Sequence, residues 1–594
     1  TQGYSSAASD VYKRQILLFI SKDKERTYQL ARFGMSVGIA AAMLLAVYFR
    51  AGIYFESNDD RNITEILSGA FGGRPDAHTV YVNYWLSVLL SGLYRITLQI
   101  PWYGLMLLLF HMMSYVLILD TVIKLGRSKL KILISIGIVM TLFLQNFYSV
   151  AKIQYTSTAI VLAVAGYVYL LCAIYMPGRD SWKFLVFAAF MLLACLLRRD
   201  AMLMLQPLGL SAIAGLLLTD KRKNVRDKIR FLLLTLGIVI GCFALGELGT
   251  AVGYHNAEWK EYLRYNNART EMFDYYGKPE YEEVSDILSE YGVSRAEYEA
   301  YKGYIILDGN LNTECAEKIA AYAKAKYRFP EIGEVLKTYQ QVMLKDGVWD
   351  GNRITVASFI VAGILIVIYG QYLYLIPVSL VKVGSFVIWG YLIYKGRMPD
   401  RVILPLYFGE AAIYLTVMLV AIVTVEQKSI WKKAGAVFAC MILIFMGYQS
   451  GRQQYRFLKS QNEGMEQYMQ GLVELYDYVD SHPECNYLMD SFSFSYYMGA
   501  VLDNRFNGPH NYMVSGTWFS YSPVMKQAMK QYFTDDQNGF YVILYDFGVE
   551  ALEEILPYLE EKTGTIGVPE EELTVSHGGK YRIYYFDRKL DLQE

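Results

Sequence analysis

Residues 54–84 read YFESNDDRNITEILSGAFGGRPDAHTVYVNY. They follow the first long apolar segment, so two adjacent carboxylates, Asp59 and Asp60, stand where a membrane helix emerges into water. Behind them Ile63, Ile66, Leu67, Ala70 and Phe71 fall at i, i+3, i+4, i+7 and i+8, the spacing of one apolar helix face. That pattern predicts a short helix lying on the bilayer surface. Gly72, Gly73 and Pro75 are expected to end it, because glycine takes the left-handed cap conformation and proline cannot continue the hydrogen-bonded turns. One of the two acids suits the helix cap, where a short acceptor satisfies free backbone N–H groups. Sequence neighbours diverge on a helix, so the other is left to face a cleft.

The chain around this loop has 594 residues, 54% of them hydrophobic and 15% aromatic, against about 45–50% apolar in soluble domains. This predicts an α-helical polytopic membrane protein. Lys plus Arg (56) and Asp plus Glu (57) nearly cancel, so net charge does not select nucleic acid as a partner. Four of the six cysteines lie in apolar segments and no CxxC pair occurs, which argues against a disulfide framework or a zinc site. There is no phosphate loop, no GxGxxG after a strand, no HExxH and no GxSxG elbow, so nucleotide-driven chemistry has no visible seat. Residues 1–15, TQGYSSAASDVYKRQ, read as a non-native leader, and no cleavable signal peptide is evident.

Crossing a bilayer takes about 20 apolar residues, and positive charge collects on the cytoplasmic side. Lys22, Lys24, Arg26 and Arg32 place the N-terminus inside, and about eleven crossings follow, near 33–54, 102–123, 131–149, 156–176, 182–198, 201–219, 230–250, 354–370, 372–394, 402–424 and 433–449. The stretch 79–100 carries Asn83, Ser87, Ser91 and Arg95 and is read as an outer membrane-associated helix. Counting it as a crossing would put the basic clusters at Lys124–Lys131 and Lys221–Arg230 outside. The expected organisation is an N-terminal transmembrane module at 16–251 with an acidic first outer loop at 55–80, a helical extracytoplasmic insert at 252–353, further transmembrane helices at 354–450, and a small extracytoplasmic α/β domain at 451–594. Within the insert, Gly292 is a stop and Ser294 with Glu297 a capping box. In the tail, helices are expected at 465–479 and 549–560, strands at 487–489 and 540–546, and a hairpin through His577 to Lys580.

Positive charges in short outer loops go against the topology rule and are therefore informative. Arg198 and Arg199 occupy one such loop, and Lys395, Arg397 and Arg401 another. Planar guanidinium groups at headgroup depth suit a phosphate, although arginines also snorkel to ordinary headgroups there. Lys382 and Glu410 lie deeper and are expected to pair across antiparallel neighbours, because an unpaired charge at that depth is costly. His111 reads as a hydrogen-bonded interior residue.

Asn58-Asp59-Asp60 in a first outer loop with surface helices, RRDAMLMLQP at Arg198–Pro207 and MPDRVILP at Met398–Pro405, together with an outer α/β tail, resemble the GT-C superfamily of polytopic glycosyltransferases that use lipid-phosphate sugars. The large insert and Asp200, where proline is often seen, depart from that pattern. The resemblance implies inverting transfer of a hexosyl or pentosyl group from a polyprenyl-phosphate sugar to a cell-envelope acceptor at the outer face. It implies Asp59 or Asp60 as general base on the acceptor hydroxyl, and Arg198, Arg199, Lys395, Arg397 and Arg401 as holders of the donor phosphate. Asn58, Asp76 and His78 are candidates for sugar or acceptor contacts; Asp76 equally suits the turn it stands in. No metal ligands are assigned, and a divalent cation is left open, since relatives differ in needing one. Membrane lipid is a partner; nucleic acid is not. The rival readings are a lipid-linked glycan flippase or transporter, an O-antigen-type polymerase or ligase, and an anchored adhesion or scaffold protein.

Overall fold

The computed structural model describes residues 3–587 except 127, 178, 308, 346–347, 424, 426–428, 492, 494–498, 534–538, 547–550 and 577, with side chains described from residue 26 apart from those positions and 348, 464–469, 531–533 and 551–555. The leader expected at 1–15 and His577 of the expected hairpin fall outside the described side chains.

The membrane part consists of α1 (Gly3–Ala51), α4 (Trp102–Leu125), α5 (Lys129–Gln145), α7 (Tyr155–Ala173), α8 (Asp180–Leu197), α9 and α10 (Arg199–Met204, Gln206–Thr219), α11 (Val225–Gly253), α17 (Gly351–Ile368), α18 (Leu375–Lys395), α19 (Asp400–Val423) and α20 (Ile430–Asp480). Between α1 and α4 lie a short strand β1 (Tyr54–Phe55), α2 (Asn58–Ser68) and α3 (Tyr84–Ile96); α6 (Phe147–Ala151) and β2 (Lys152–Ile153) precede α7. Among the described residues ten helices are long and apolar enough to cross a membrane. The chain is a multi-pass membrane protein. The remaining expected crossing is α5, whose 17 residues make it the shortest of the set. At 13 residues, α3 rises about 20 Å and cannot span a hydrocarbon core of about 30 Å.

Burial sorts the bundle into centre and perimeter. The apolar stretches of α19 and α7 are 100% and 94% buried, whereas those of α1 and α20 are each 22% buried and face lipid. Small residues let the inner helices approach: Gly409 of α19 meets Val164 of α7, and Gly384 of α18 lies on the Pro207 carbonyl of α10. The ends of the bundle differ in charge. At one end Arg32 pairs with Asp120, Lys131 donates to the carbonyls of Val423 and Val425, and Arg222 pairs with Asp220. The other end carries the loop from α1 to α4, the insert and the tail.

The insert contributes α12–α16 (Ala257–Thr270, Tyr281–Glu290, Arg295–Lys302, Thr313–Lys326, Ile332–Leu344). Ser294 Oγ accepts from the Glu297 N–H at 3.0 Å, but Glu297 does not return the bond; its carboxylate accepts from Leu311 N instead. The expected reciprocal box is therefore half formed.

Two expectations for the tail are corrected. The last crossing and the expected helix at 465–479 are one continuous 51-residue helix, α20, because no Pro interrupts it and its apolar face carries past the membrane. The sheet has five strands in the order β4-β3-β5-β7-β6, with β3 (Tyr487–Met489) parallel to β4 (Tyr512–Val514) and β5 (Phe540–Asp546), and β7 (Lys580–Phe586) antiparallel to β5 and β6 (Val568–Thr574). The strand β4 and helix α21 (Pro523–Phe533) were not expected; α22 (Ala551–Thr563) closes the domain. The three-residue β4 is too short for its alternation to stand out.

Lys382 and Glu410 pair at 3.5 Å, as expected, and Glu410 also accepts from Trp389 Nε1 and the Tyr414 hydroxyl, each at 3.1 Å. His111 is bonded to Thr158 Oγ1 at 3.0 Å. Replacing Glu410 by Ala leaves three donors without their acceptor, so it should destabilise the bundle by about 2 kcal/mol or more. Thermal unfolding in detergent measures this, and an unchanged midpoint would mean that the pair does not hold α18 to α19.

Candidate functional site

The loop helix α2 does not lie on the bilayer surface. Asp60 through Ser68 are all buried, because the helix is covered by the bundle below and the tail above: Arg61 donates to the Tyr476 hydroxyl of α20 at 2.9 Å, and Ser68 Oγ accepts from Gly508 N at 3.2 Å. The apolar periodicity was real, but the polar face is buried too, paired with the tail. The helix also ends earlier than expected. Gly69, at φ +90°, caps it, and a side chain there would run into the Arg74–Pro75 backbone. Neither acid caps the start: Ser57 holds that position, and Asn58, Asp59 and Asp60 form the first turn, where the helix dipole favours negative charge.

The two acids differ sharply. Asp60 is fully buried, its Oδ1 accepting from the Tyr103 hydroxyl at 2.7 Å and from Tyr155 N at 3.3 Å, its Oδ2 from Ser57 Oγ at 3.3 Å. Burial raises its pKa well above the usual carboxylate range, with the bonds from Tyr103 and Tyr155 acting in the opposite sense. Asp59 is half-buried and accepts from the Tyr155 hydroxyl at 3.4 Å. Asn58 is half-buried beside it.

Arg198 lies over the rings of Tyr81 and Tyr155, at 5.0 and 5.5 Å, with Asp200 at 3.6 Å. Tyr155 thus links Asp59, Asp60 and Arg198. Arg401, at the start of α19, stands 4.0 Å from Glu56, the residue directly after β1 and three before Asp59. Across β1, Lys152 is buried with its ammonium over the Tyr54 ring at 4.9 Å. Lys152 Nζ and Glu56 Oε2 are both buried without a hydrogen-bond partner. Burial raises the Glu56 pKa, and burial lowers that of Lys152 to about 8 against the pull of Glu56.

The structure therefore brings together Asp59, Asp60, Arg198 and Arg401, from the front, middle and rear of the chain. It does not bring in the other candidates. Arg199 is exposed and pairs with Glu247 and Asp200. Arg397 pairs with Asp274 of the insert at 2.8 Å, and Lys395 ends α18 half-buried. Asp76 and His78 belong to a neighbouring cleft of about 790 Å³ between the loop, the insert and the tail, whose walls include Trp259, Tyr262, Asn312 and Lys526. There Asp76 Oδ1 accepts from both the backbone N–H of His78 and faces its Nδ1 at 2.8 Å, while the ring stacks on Trp259 at 4.3 Å. Tyr262 bonds the Trp518 carbonyl, and the Trp518 ring packs on Tyr81, so one aromatic layer connects this cleft to Asp59.

Sequence reasoning missed Glu56, Lys152, Tyr103, Tyr155 and the buried Arg269, which bonds Asn266 and whose charge is felt by Tyr81. Lys152 was findable, being a lysine in a short loop at the same end as Arg198. Arg269 was not, since arginines in a polar insert are ordinary. Among the described residues no three His, Cys, Asp or Glu side chains gather into a cation site.

Because the folded pKa of Lys152, about 8, lies below its unfolded value of 10.5, the folded protein binds fewer protons between those pH values, and stability rises with pH there. Relative to Lys152→Met, the native protein should gain about 2–3 kcal/mol on going from pH 8 to 10.5. Parallel thermal unfolding of the two proteins measures it, and curves of equal pH dependence would contradict a buried, unpartnered ammonium.

No family model matches the chain, and neither does any curated protein. Among solved structures it is similar to the crystal structure of ArnT from Cupriavidus metallidurans bound to undecaprenyl phosphate, at 11% identity and a TM-score of 0.39, over 93% of this chain and 97% of that one. A TM-score of 0.39 is too low to carry a residue or a role across.

Proposed function

We propose that this protein is a membrane glycosyltransferase of the GT-C kind, transferring a sugar from a polyprenyl-phosphate donor to a cell-envelope acceptor at the outer face of the membrane. The observation that carries the reading is the meeting of a half-buried, accessible carboxylate, Asp59, with Arg198, Arg401 and Lys152, whose ammonium makes no hydrogen bond, at the end of the bundle away from the basic loops. By the charge rule that end is extracytoplasmic.

Asp59 is the base and Asp60 is a positioning residue. Both oxygens of Asp60 are already hydrogen-bonded within the protein, so it is committed to holding Tyr103 and Tyr155 in place rather than to an acceptor. Asp59 takes the proton of the acceptor hydroxyl as its oxygen bonds to the anomeric carbon. The anomeric C–O bond to phosphate breaks on the opposite face, and the electron pair leaves on the phosphate, giving inversion. Lys152 and Arg401 receive that developing charge, in a partly dry site where fixed cations act strongly. The cleft at Asp76 and His78 is the place for the sugar or the acceptor. A flippase would move phosphate through the middle of the bundle, where Lys382 and Glu410 already neutralise each other.

Transfer from a labelled polyprenyl-phosphate sugar in detergent tests the reading. Asp59→Asn should lower kcat by about 100- to 10,000-fold with the unfolding midpoint unchanged. Arg401→Gln should raise the donor KM and lower kcat, whereas Arg397→Gln should leave both within a few-fold. Full activity of Asp59→Asn would remove the catalytic assignment.

A further inference from the structure

A groove of about 690 Å³ lies between α1, α5 and α20, well away from the aromatic cleft of His78. Its lining repeats at helical spacing on all three helices, through Ile39, Met43 and Val47, through Met140 and Phe143, and along α20 from Tyr448. The lining is apolar for most of its length. At one end it closes with Arg50 of α1 and with Arg452 and Arg456, one turn apart on α20. That end is the one bearing Asp59, because Asn462 of α20 donates to the carbonyl of Ala51, the residue after Arg50.

These three arginines are exposed, and among the described residues none of them has a carboxylate partner. Other arginines at the two ends of the bundle hold carboxylates, Arg32 with Asp120, Arg222 with Asp220 and Arg397 with Asp274. Three like charges at one mouth repel unless an anion lies between them. An apolar channel ending in guanidinium groups at headgroup depth is complementary to one molecule type, a chain-bearing lipid with a negative phosphate. Apart from the arginines the lining offers only two tyrosine hydroxyls and no amide or carboxylate with which to hold a sugar. On the inner side Phe147 leads to Tyr148, whose ring packs on Trp349 at 4.3 Å, with Phe457 against Trp349 at 5.0 Å, so an aromatic layer adjoins the arginine end.

We propose that an anionic glycerophospholipid from the surrounding bilayer occupies this groove, its phosphate held by Arg50, Arg452 and Arg456 and an acyl chain lying along α1, α5 and α20. The lipid joins the two helices the protein itself buries least, the one that delivers the acidic loop and the one that carries the tail. This is independent of the transferase reading.

The full chain, purified in detergent and stripped of lipid, is titrated with phosphatidylglycerol or phosphatidylcholine while thermal unfolding is followed, and the lipids that copurify are identified by mass spectrometry. Phosphatidylglycerol should raise the midpoint by several degrees and phosphatidylcholine should not. The response should shift to at least tenfold higher lipid in R50Q/R452Q/R456Q. Ala42→Trp, which fills the groove two turns away from Arg50, should abolish it as well. An equal response to the two lipids, an unshifted response in both variants, or a polyprenyl phosphate as the lipid lost with the arginines would overturn the proposal.

Discussion

The structure depends on burying a polar helix. Residues Asp60–Ser68 include three charged side chains, Asp60, Arg61 and Glu65, each of which would be costly in the interior without partners. Asp60 is satisfied from below by Tyr103 and the start of α7, and Arg61 by Glu65 Oε1 and by hydroxyls of α20 and β4. Burial raises Glu65 to about 7 even so, a measure of how dry the contact is. The loop can therefore take this form only when the membrane bundle and the tail enclose it together, which ties the position of Asp59 to both.

That arrangement separates two roles the sequence presents as equivalent. Adjacent acids on a helix point about 100° apart. One turns into the tyrosine-lined interior and fixes the scaffold; the other stays at the edge, within reach of Tyr155 and under the fields of Arg198 and Arg401. Beside it, Lys152 Nζ and Glu56 Oε2 are buried without a hydrogen bond, the first over the Tyr54 ring and the second 4.0 Å from Arg401.

Much of this was legible in the sequence where the physical signal was local. Long apolar runs gave ten of the eleven expected crossings among the described residues, and α3, which was not counted as one, is too short at 13 residues. The pairing of Lys382 with Glu410 followed from the cost of a lone charge at depth. What could not be read were contacts made across hundreds of residues. The apolar stripe of α2 has the same spacing whether it faces lipid or protein, and only Tyr476 and Tyr512, more than 400 positions away, turn a surface helix into a buried one. Arg397 and Arg401 look alike in MPDRVILP and its flank, yet Asp274 of the insert engages the first and leaves the second at the acids.

If transfer runs as proposed, one phosphate site lies beside Asp59. An electron cryo-microscopy map of the protein with a polyprenyl phosphate added tests it most directly. Phosphate density is expected between Lys152 and Arg401, within hydrogen-bonding distance of both. Density for that phosphate at Arg199 or Arg397, with Lys152 and Arg401 bare, would contradict it.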